Sequence, residues 1–342
     1  MKRQVVPNIK IVVEQVDALA VEADVLALKF ADELYGVDRA VVGALRNAGL
    51  EVVEHLPEPS GFFITPSEGA IAADRVLFVG VGSLHEFGYR EIRAFGRRVL
   101  EVLAGAAPDA RHVAITIHGT GYGLDETEAF ESELAGFLDA LNSDDFPASL
   151  ERLTVVEINA GRAKRLTALL DRVLPLPELL SIGRSGQPLT NLSAPDRLRS
   201  VGYDSQSKPH VFVAMPFAEE MDDVFHYGIQ GAVNAAGFLC ERADLATFTG
   251  DVIEWVKERI ASASLVIADL SDANHNVYLE VGYAWGCGRP TVLVVKDTSQ
   301  LKFDVKSQKC LVYKRIKDLE SALRAELQNL RSVIGHARRA DR

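Results

Sequence analysis

Two carboxylates, Asp269 and Glu280, bound the segment Asp269-Leu270-Ser271-Asp272-Ala273-Asn274-His275-Asn276-Val277-Tyr278-Leu279-Glu280, which also carries Asp272, Asn274 and Asn276. Ser264-Leu265-Val266-Ile267-Ala268, just ahead of it, has the continuous apolar character of a strand covered on both faces. Asn276 reads as the N-cap of the helix that follows, which places Glu280 about one turn inside that helix. Ligands of open α/β sheets bind at the carboxyl ends of the strands, the edge where these acids and amides collect. A carboxylate there can stabilise or trap the positive sugar carbon that develops as a glycosidic bond breaks. A sugar-binding, bond-cleaving pocket is therefore expected, with Glu280 facing the ligand. The competing reading is a solvated Glu280 that only steadies the helix amino end.

The elements needed to hold such a pocket fit easily in this chain. Its 342 residues, 48% of them hydrophobic, are enough for two globular domains with separate cores. A net charge of -11 and a pI near 5.3 argue against nucleic acid as a partner. A small phosphorylated ligand is still compatible, because backbone amides and helix amino ends bind phosphate without net positive charge. Cys240, Cys287 and Cys310 form no Cys-x-x-Cys pair and have no His at ligand spacing, so neither a metal site nor a disulfide is expected. No apolar run is long enough to span a bilayer, and the amino terminus lacks an uninterrupted signal-peptide core. The expectation is a reduced, cytoplasmic protein without a membrane partner.

The fold class predicted is α/β, with two α/β domains. In the first, residues 1–174, strand-like runs at Ile9 to Val13, Asp24 to Phe30, Arg75 to Val81, His112 to Ile117 and Leu153 to Ile158 alternate with amphipathic helices. Residues 175–208 lose periodicity and gather Pro, Gly, Ser and Asn, as a linker does. The second domain, residues 209–333, repeats strand and helix about five times, which predicts a flavodoxin-like parallel sheet. Residues 334–342 read as a frayed polar tail.

Three stretches of the second domain occur in a telling order: Val211-Phe212-Val213-Ala214-Met215-Pro216-Phe217, Val266-Ile267-Ala268-Asp269-Leu270, and Asn276-Val277-Tyr278-Leu279-Glu280-Val281-Gly282-Tyr283-Ala284. Together they resemble the TIR-like and nucleoside 2-deoxyribosyltransferase-like superfamily, over roughly Pro209 to Leu330. The resemblance implies that Glu280 is the nucleophile capturing the sugar and that Asp269 assists protonation of the leaving base. It also implies an aromatic active-site role for Phe212, whose alternative is a place in the core. The turn Ala214-Met215-Pro216-Phe217 would line the cleft, with Asp244 and Phe248 on its rim beside Asp272, Asn274 and Asn276. TIR enzymes use a helix-borne Glu to split the nicotinamide-ribose bond of NAD. Nicotinamide leaves as a neutral molecule from a cation, so one carboxylate suffices, whereas a neutral purine or pyrimidine needs a general acid. Asp269 is the candidate acid, its alternative being a cap or turn former. The chain departs from many TIR enzymes in lacking a serine-rich approach and a Trp-x-x-x-Glu arrangement, with Trp285 following the Glu instead.

In the first domain, Gly80 and Gly82 end one strand, and Gly119, Gly121 and Gly123 lie in a glycine-rich loop after another. Such loops bring backbone amides to phosphate, or simply make tight turns. The segment Arg75 to Val99 resembles the macro-like amino-terminal domain of leucyl aminopeptidases, which implies a nucleotide-type ligand such as ADP-ribose. Combined, the resemblances imply a homo-oligomeric effector of bacterial stress or antiphage defence that takes NAD as substrate and needs no cofactor. The alternatives are a nucleoside N-glycosidase or deoxyribosyltransferase, and a non-catalytic nucleotide-binding adaptor.

Overall fold

The computed structural model describes residues 9–31, 34–83, 87–120, 123–174, 196–242 and 252–340. They fall into two compact units, Met1–Thr120 with Glu126–Gln206, and Gly121–Asp125 with Ser207–Arg342. Both are mixed α/β.

The first unit contains β1 (Lys10–Gln15), β2 (Val25–Phe30), α1 (Gly36–Asn47), β3 (Phe62–Pro66), β4 (Arg75–Gly80), α2 (Tyr89–Ala106), β5 (His112–Thr116), α3 (Glu126–Asn142), β6 (Arg152–Glu157), α4 (Ala160–Val173) and α5 (Asp196–Ser200). Its sheet runs β1-β6-β5-β2-β4-β3, and only β3 is antiparallel to its neighbour. β2 is apolar almost throughout because it lies inside the sheet with both faces covered. α1 and β3 were not among the sequence expectations. Pro66 ends β3 at the sheet edge, where a missing amide donor costs nothing.

Part of the expected linker belongs to this first unit. Arg93 on α2 forms a two-pronged ion pair with Asp139 and donates to the carbonyls of Leu198, Arg199 and Val201. Its guanidinium also lies 4.3 Å from the centre of the Tyr203 ring. One buried cation thus satisfies the carboxyl end of α5, which a search for Pro- and Gly-rich composition has no means of detecting. Residues 175–195 lie outside the described residues.

The second unit contains β7 (His210–Ala214), α6 (Glu219–Asp223), a π-helical stretch (Val224–Gln230), α7 (Gly231–Ala235), β8 (Leu239–Glu241), α8 (Val252–Ser262), β9 (Leu265–Asp269), α9 (His275–Gly286), β10 (Thr291–Val295), β11 (Cys310–Val312) and α10 (Ile316–Ala340). Every pairing in its sheet is parallel, and the order β8-β7-β9-β10-β11 is the 2-1-3-4-5 order of flavodoxin-like sheets. α10 continues to Ala340, through the residues read from sequence as a frayed tail. No helix of the described residues is long and apolar enough to cross a membrane.

Two glycines let α2 and α3 approach closely. A Cβ on Gly136 would fall 2.1 Å from the Arg93 carbonyl oxygen, and one on Gly96 would fall 2.7 Å from that of Glu133. Backbone cannot yield as a flexible side chain can, so Gly136→Ala should destabilise the first unit by about 1–3 kcal/mol, the usual cost of overpacking. Thermal unfolding checks this, and an unchanged or raised Tm would show that the helices can separate freely.

Candidate functional site

Strand alternation decides which residues of the second unit share a face. On β7, Val211, Val213 and Met215 enter the layer covered by the helices around α7 and α10, while Phe212 and Ala214 enter the layer of α8 and α9. On β9, Leu265 and Ile267 take the first layer, and Val266, Ala268 and Leu270 the second. The strand order reverses between β7 and β9, so their carboxyl ends flank the crevice where such sheets bind ligands.

Glu280 reaches this region from α9. Val277, Val281 and Ala284 form the buried stripe of that helix, and Glu280 lies on its shoulder, half-buried. Its carboxylate has no hydrogen-bond or ion-pair partner among the described residues. Burial alone pushes its carboxyl up to about 7. The helix begins two residues earlier than expected from the sequence. Asn274, not Asn276, is the N-cap, and its Oδ1 accepts from the Asn276 amide at 2.9 Å. Asp272 and Ala273 adopt left-handed backbone, with φ of 62° and 49°, which turns the chain so that Asn274 meets the helix start. The exposed Asp272 amide donates to Gln300 Oε1 at 3.0 Å.

Asp269 occupies a different environment. It is fully buried on the face of Ile267, opposite the layer that carries α9. Its Oδ1 accepts from the Ser271 amide at 2.9 Å and its Oδ2 from the Tyr313 hydroxyl at 2.6 Å. Burial raises its carboxyl above the ordinary aspartate value, and the Ser271 and Tyr313 hydrogen bonds oppose that rise. The Ser271 hydroxyl in turn accepts from the Lys296 amide at 3.0 Å. Asp269 therefore ties the end of β9 to β10 and to Tyr313, and both its oxygens are already committed. The general-acid role expected of it would have to be played from a position that Ser271 and Tyr313 already hold.

Other expected site residues separate in the same way. Phe212 is a fully buried member of the α8 and α9 layer, so its ring is core. Ala214, Met215 and Pro216 are buried at the end of β7 and its turn, and Phe217 is exposed. Asp244, Phe248 and Gly121 lie outside the described residues. Gly123 belongs to the second unit, where its carbonyl accepts from the Arg242 amide at 3.1 Å. Its φ is +89°, and a Cβ there would lie 2.5 Å from the Trp255 ring. With Asp125 Oδ2 accepting from the Cys240 amide at 2.9 Å, this segment covers the edge strand β8.

In the first unit, both backbone groups of Gly80 are occupied, by Gly61 and Ser60, each at 3.0 Å. A Cβ on it would fall 2.0 Å from the Glu58 carbonyl oxygen, so close packing explains this glycine and no amide is left for phosphate. Gly82 is half-buried beyond β4, and Gly119, with φ +86°, is buried beyond β5. Next to Gly119, His118 Nδ1 lies 3.4 Å from Glu133 Oε1, and its ring centre is 4.5 Å from that of Phe95. Burial drives the His118 pKa well down and the Glu133 pKa well up, so it disfavours the charged form of each.

Arg242, Lys296 and Tyr313 were missed by the sequence reading. Each lies two residues beyond an inward-facing residue of its strand, Cys240, Val294 and Leu311 respectively, so period-two counting carried past the strand ends would have found them. Among the described residues no group of His, Cys, Asp and Glu could hold a metal ion.

No family model matches the chain, and no curated protein does. Among solved structures it is similar to the macrodomain of Oceanobacillus iheyensis with ADP, at 16% identity and a TM-score of 0.40, covering 51% of this chain and 96% of that one. It is likewise similar to the Trypanosoma brucei macrodomain in complex with ADP-ribose, at 14% identity and a TM-score of 0.40, covering 47% of this chain and 69% of that one.

The Glu280 carboxyl has a measurable signature. Between the ordinary glutamate value of 4.5 and about 7 the folded protein keeps a proton that the unfolded chain has lost, so stability falls as pH rises through this window. Glu280→Gln removes the burial cost of the charge. It should be more stable than wild type at pH 8, by roughly 1–3 kcal/mol once partial exposure is discounted, and equal to it near pH 4. Denaturant melts at both pH values check this, and a difference independent of pH would mean that Glu280 is well solvated.

Proposed function

We propose that the second unit cleaves the N-glycosidic bond between nicotinamide and ribose in NAD, with Glu280 facing the sugar carbon that becomes positive. The observation that carries this reading is Glu280 itself, a half-buried carboxylate with no partner among the described residues, held on a helix at the carboxyl edge of a 2-1-3-4-5 sheet. Among the described residues no cation compensates it. A substrate that brings its own positive charge, as the nicotinamide ring of NAD does, would restore the ionised form and be held by it. As the bond breaks the positive charge passes from the ring to the sugar, next to the same carboxylate.

The state of Asp269 supports NAD over a nucleoside. A neutral base needs a proton to leave, and the candidate donor has both oxygens engaged on the opposite layer. Nicotinamide needs none. For the first unit we propose binding of a nucleotide-type ligand at the carboxyl ends of its parallel strands, near Gly82 and Gly119. Defence against phage or stress, and assembly into a homo-oligomer, extend this reading through the sequence resemblance.

The test is incubation of the purified full chain with NAD and a panel of nucleosides, with products resolved by mass. Nicotinamide release is expected, and Glu280→Gln should lower turnover about 100-fold or more while substrate binding persists. If Glu280→Gln acts like wild type on every substrate, the enzyme reading fails and a nucleotide-binding adaptor replaces it.

A further inference from the structure

The face of the second sheet opposite α9 carries a row of residues at its carboxyl edge that the proposed chemistry at Glu280 does not use. In the order of the strands these are Arg242 after β8, Met215 after β7, Asp269 ending β9, Lys296 after β10 and Tyr313 after β11. Asp269 and Tyr313 bond to each other, whereas Arg242 leans toward Met215 just after β7 and Lys296 toward Met221 of α6. Arg242 lies over the Phe225 ring at 4.2 Å and 5.4 Å from the centre of the Phe217 ring. One of its nitrogens donates to Asp222 Oδ1 at 3.3 Å, and another points at the Met215 sulfur at 3.8 Å. The Lys296 ammonium meets the Met221 sulfur at 3.3 Å.

Apart from Asp222, the side-chain contacts of the two cations among the described residues are sulfur and aromatic faces. A thioether accepts hydrogen bonds weakly, and an ammonium has three donors to place. Asp222 is about half exposed, so its pairing with Arg242 is screened by solvent. Lys296 is exposed to solvent and its charge also acts on Asp269, which lies between the two cations along the edge. In a chain with net charge -11 and 48 acidic residues, two cations gathered at the carboxyl edge of one sheet face are available to an anion. The aromatic faces hold the Arg242 guanidinium in a set plane, which suits recognition of phosphate oxygens. β8 and β10 are three strand intervals apart, about 14 Å at the backbone, and both side chains reach inward. That span fits two linked phosphates better than one.

We propose that Arg242 and Lys296 form an anion subsite that receives the pyrophosphate of a dinucleotide whose sugar faces Glu280. This deepens the reading of the second unit as an NAD glycosidase and rests on it for the identity of the substrate. Under it, the unit selects phosphorylated substrates over nucleosides by two charges on the sheet face opposite the reacting carboxylate's helix.

Two measurements on the full chain test the subsite. In the first, Lys296 is acylated with an amine-reactive reagent and its modification followed by peptide mass mapping, with inorganic pyrophosphate or with chloride at matched ionic strength. Pyrophosphate should slow acylation of Lys296 severalfold in wild type and much less in Arg242→Gln. Equal rates with both salts would overturn the proposal whether or not any glycosidic bond is cleaved. The second compares cleavage of NAD with that of nicotinamide riboside, which lacks phosphate. Arg242→Gln and Lys296→Met should each lower kcat/KM for NAD about tenfold more than for the riboside, the usual worth of a charge-assisted contact. Equal losses on both substrates would reduce the two residues to structural supports. If neither substrate turns over, the glycosidase reading falls, and the labelling result alone decides the anion subsite.

Discussion

A parallel sheet buried on both faces has no solvent side, so its polar chemistry must sit at the ends of its strands. This constraint organises the second unit. β7 and β9 are lined by apolar residues on both layers, and the first charged group along β9 is its last residue, Asp269. Beyond that point the alternation of side chains continues into the turns, and each residue is still committed to one layer or the other. Glu280 belongs to one layer through its helix, and Arg242, Asp269, Lys296 and Tyr313 belong to the other. The strand order reverses between β7 and β9, the point at which such sheets bind ligands.

The two buried carboxylates of this edge differ in how their burial is offset. Asp269 is the deeper, yet it accepts from an amide and a phenol, and the Ser271 hydroxyl joins it to β10. Glu280 is less buried and accepts from no donor among the described residues, and burial raises its carboxyl to about 7. A group that destabilises its own fold when ionised makes sense where a ligand supplies the missing charge. Depth alone would have chosen Asp269 as the reactive group, and the hydrogen bonds reverse that choice.

The first unit handles buried charge by pairing it within the protein. Glu126 on α3 holds Arg162 and Arg165 of α4, Glu131 meets Arg197 of α5, and Arg93 closes the same helix end. For His118 and Glu133, burial disfavours the charged form of each. α3 is thus buried along most of its length despite its acids, because other elements bring the partners. The glycines of this unit divide between ligand-loop candidates and packing devices, and Gly80 is of the second kind because backbone occupies the space its side chain would need.

Much of this was legible in the residues alone. Continuous apolar runs marked the parallel strands, helical spacing marked α2, α3 and α4, and an acid-ended strand followed by Asn and Glu marked the carboxyl edge that carries Glu280. β3 escaped because it is a short edge strand with mixed burial, and α5 because its stability comes from Arg93, far away in sequence. The chain by itself determined which residues alternate and where strands stop, since both follow from local sterics and the period of two. Only the tertiary structure decided that Asp269 and Glu280 face opposite layers, and that Arg242 and Lys296 reach toward the end of β7 and α6 from separate strands. Those outcomes depend on strand order and on which side each helix crosses, and both are set by contacts between residues far apart in the sequence.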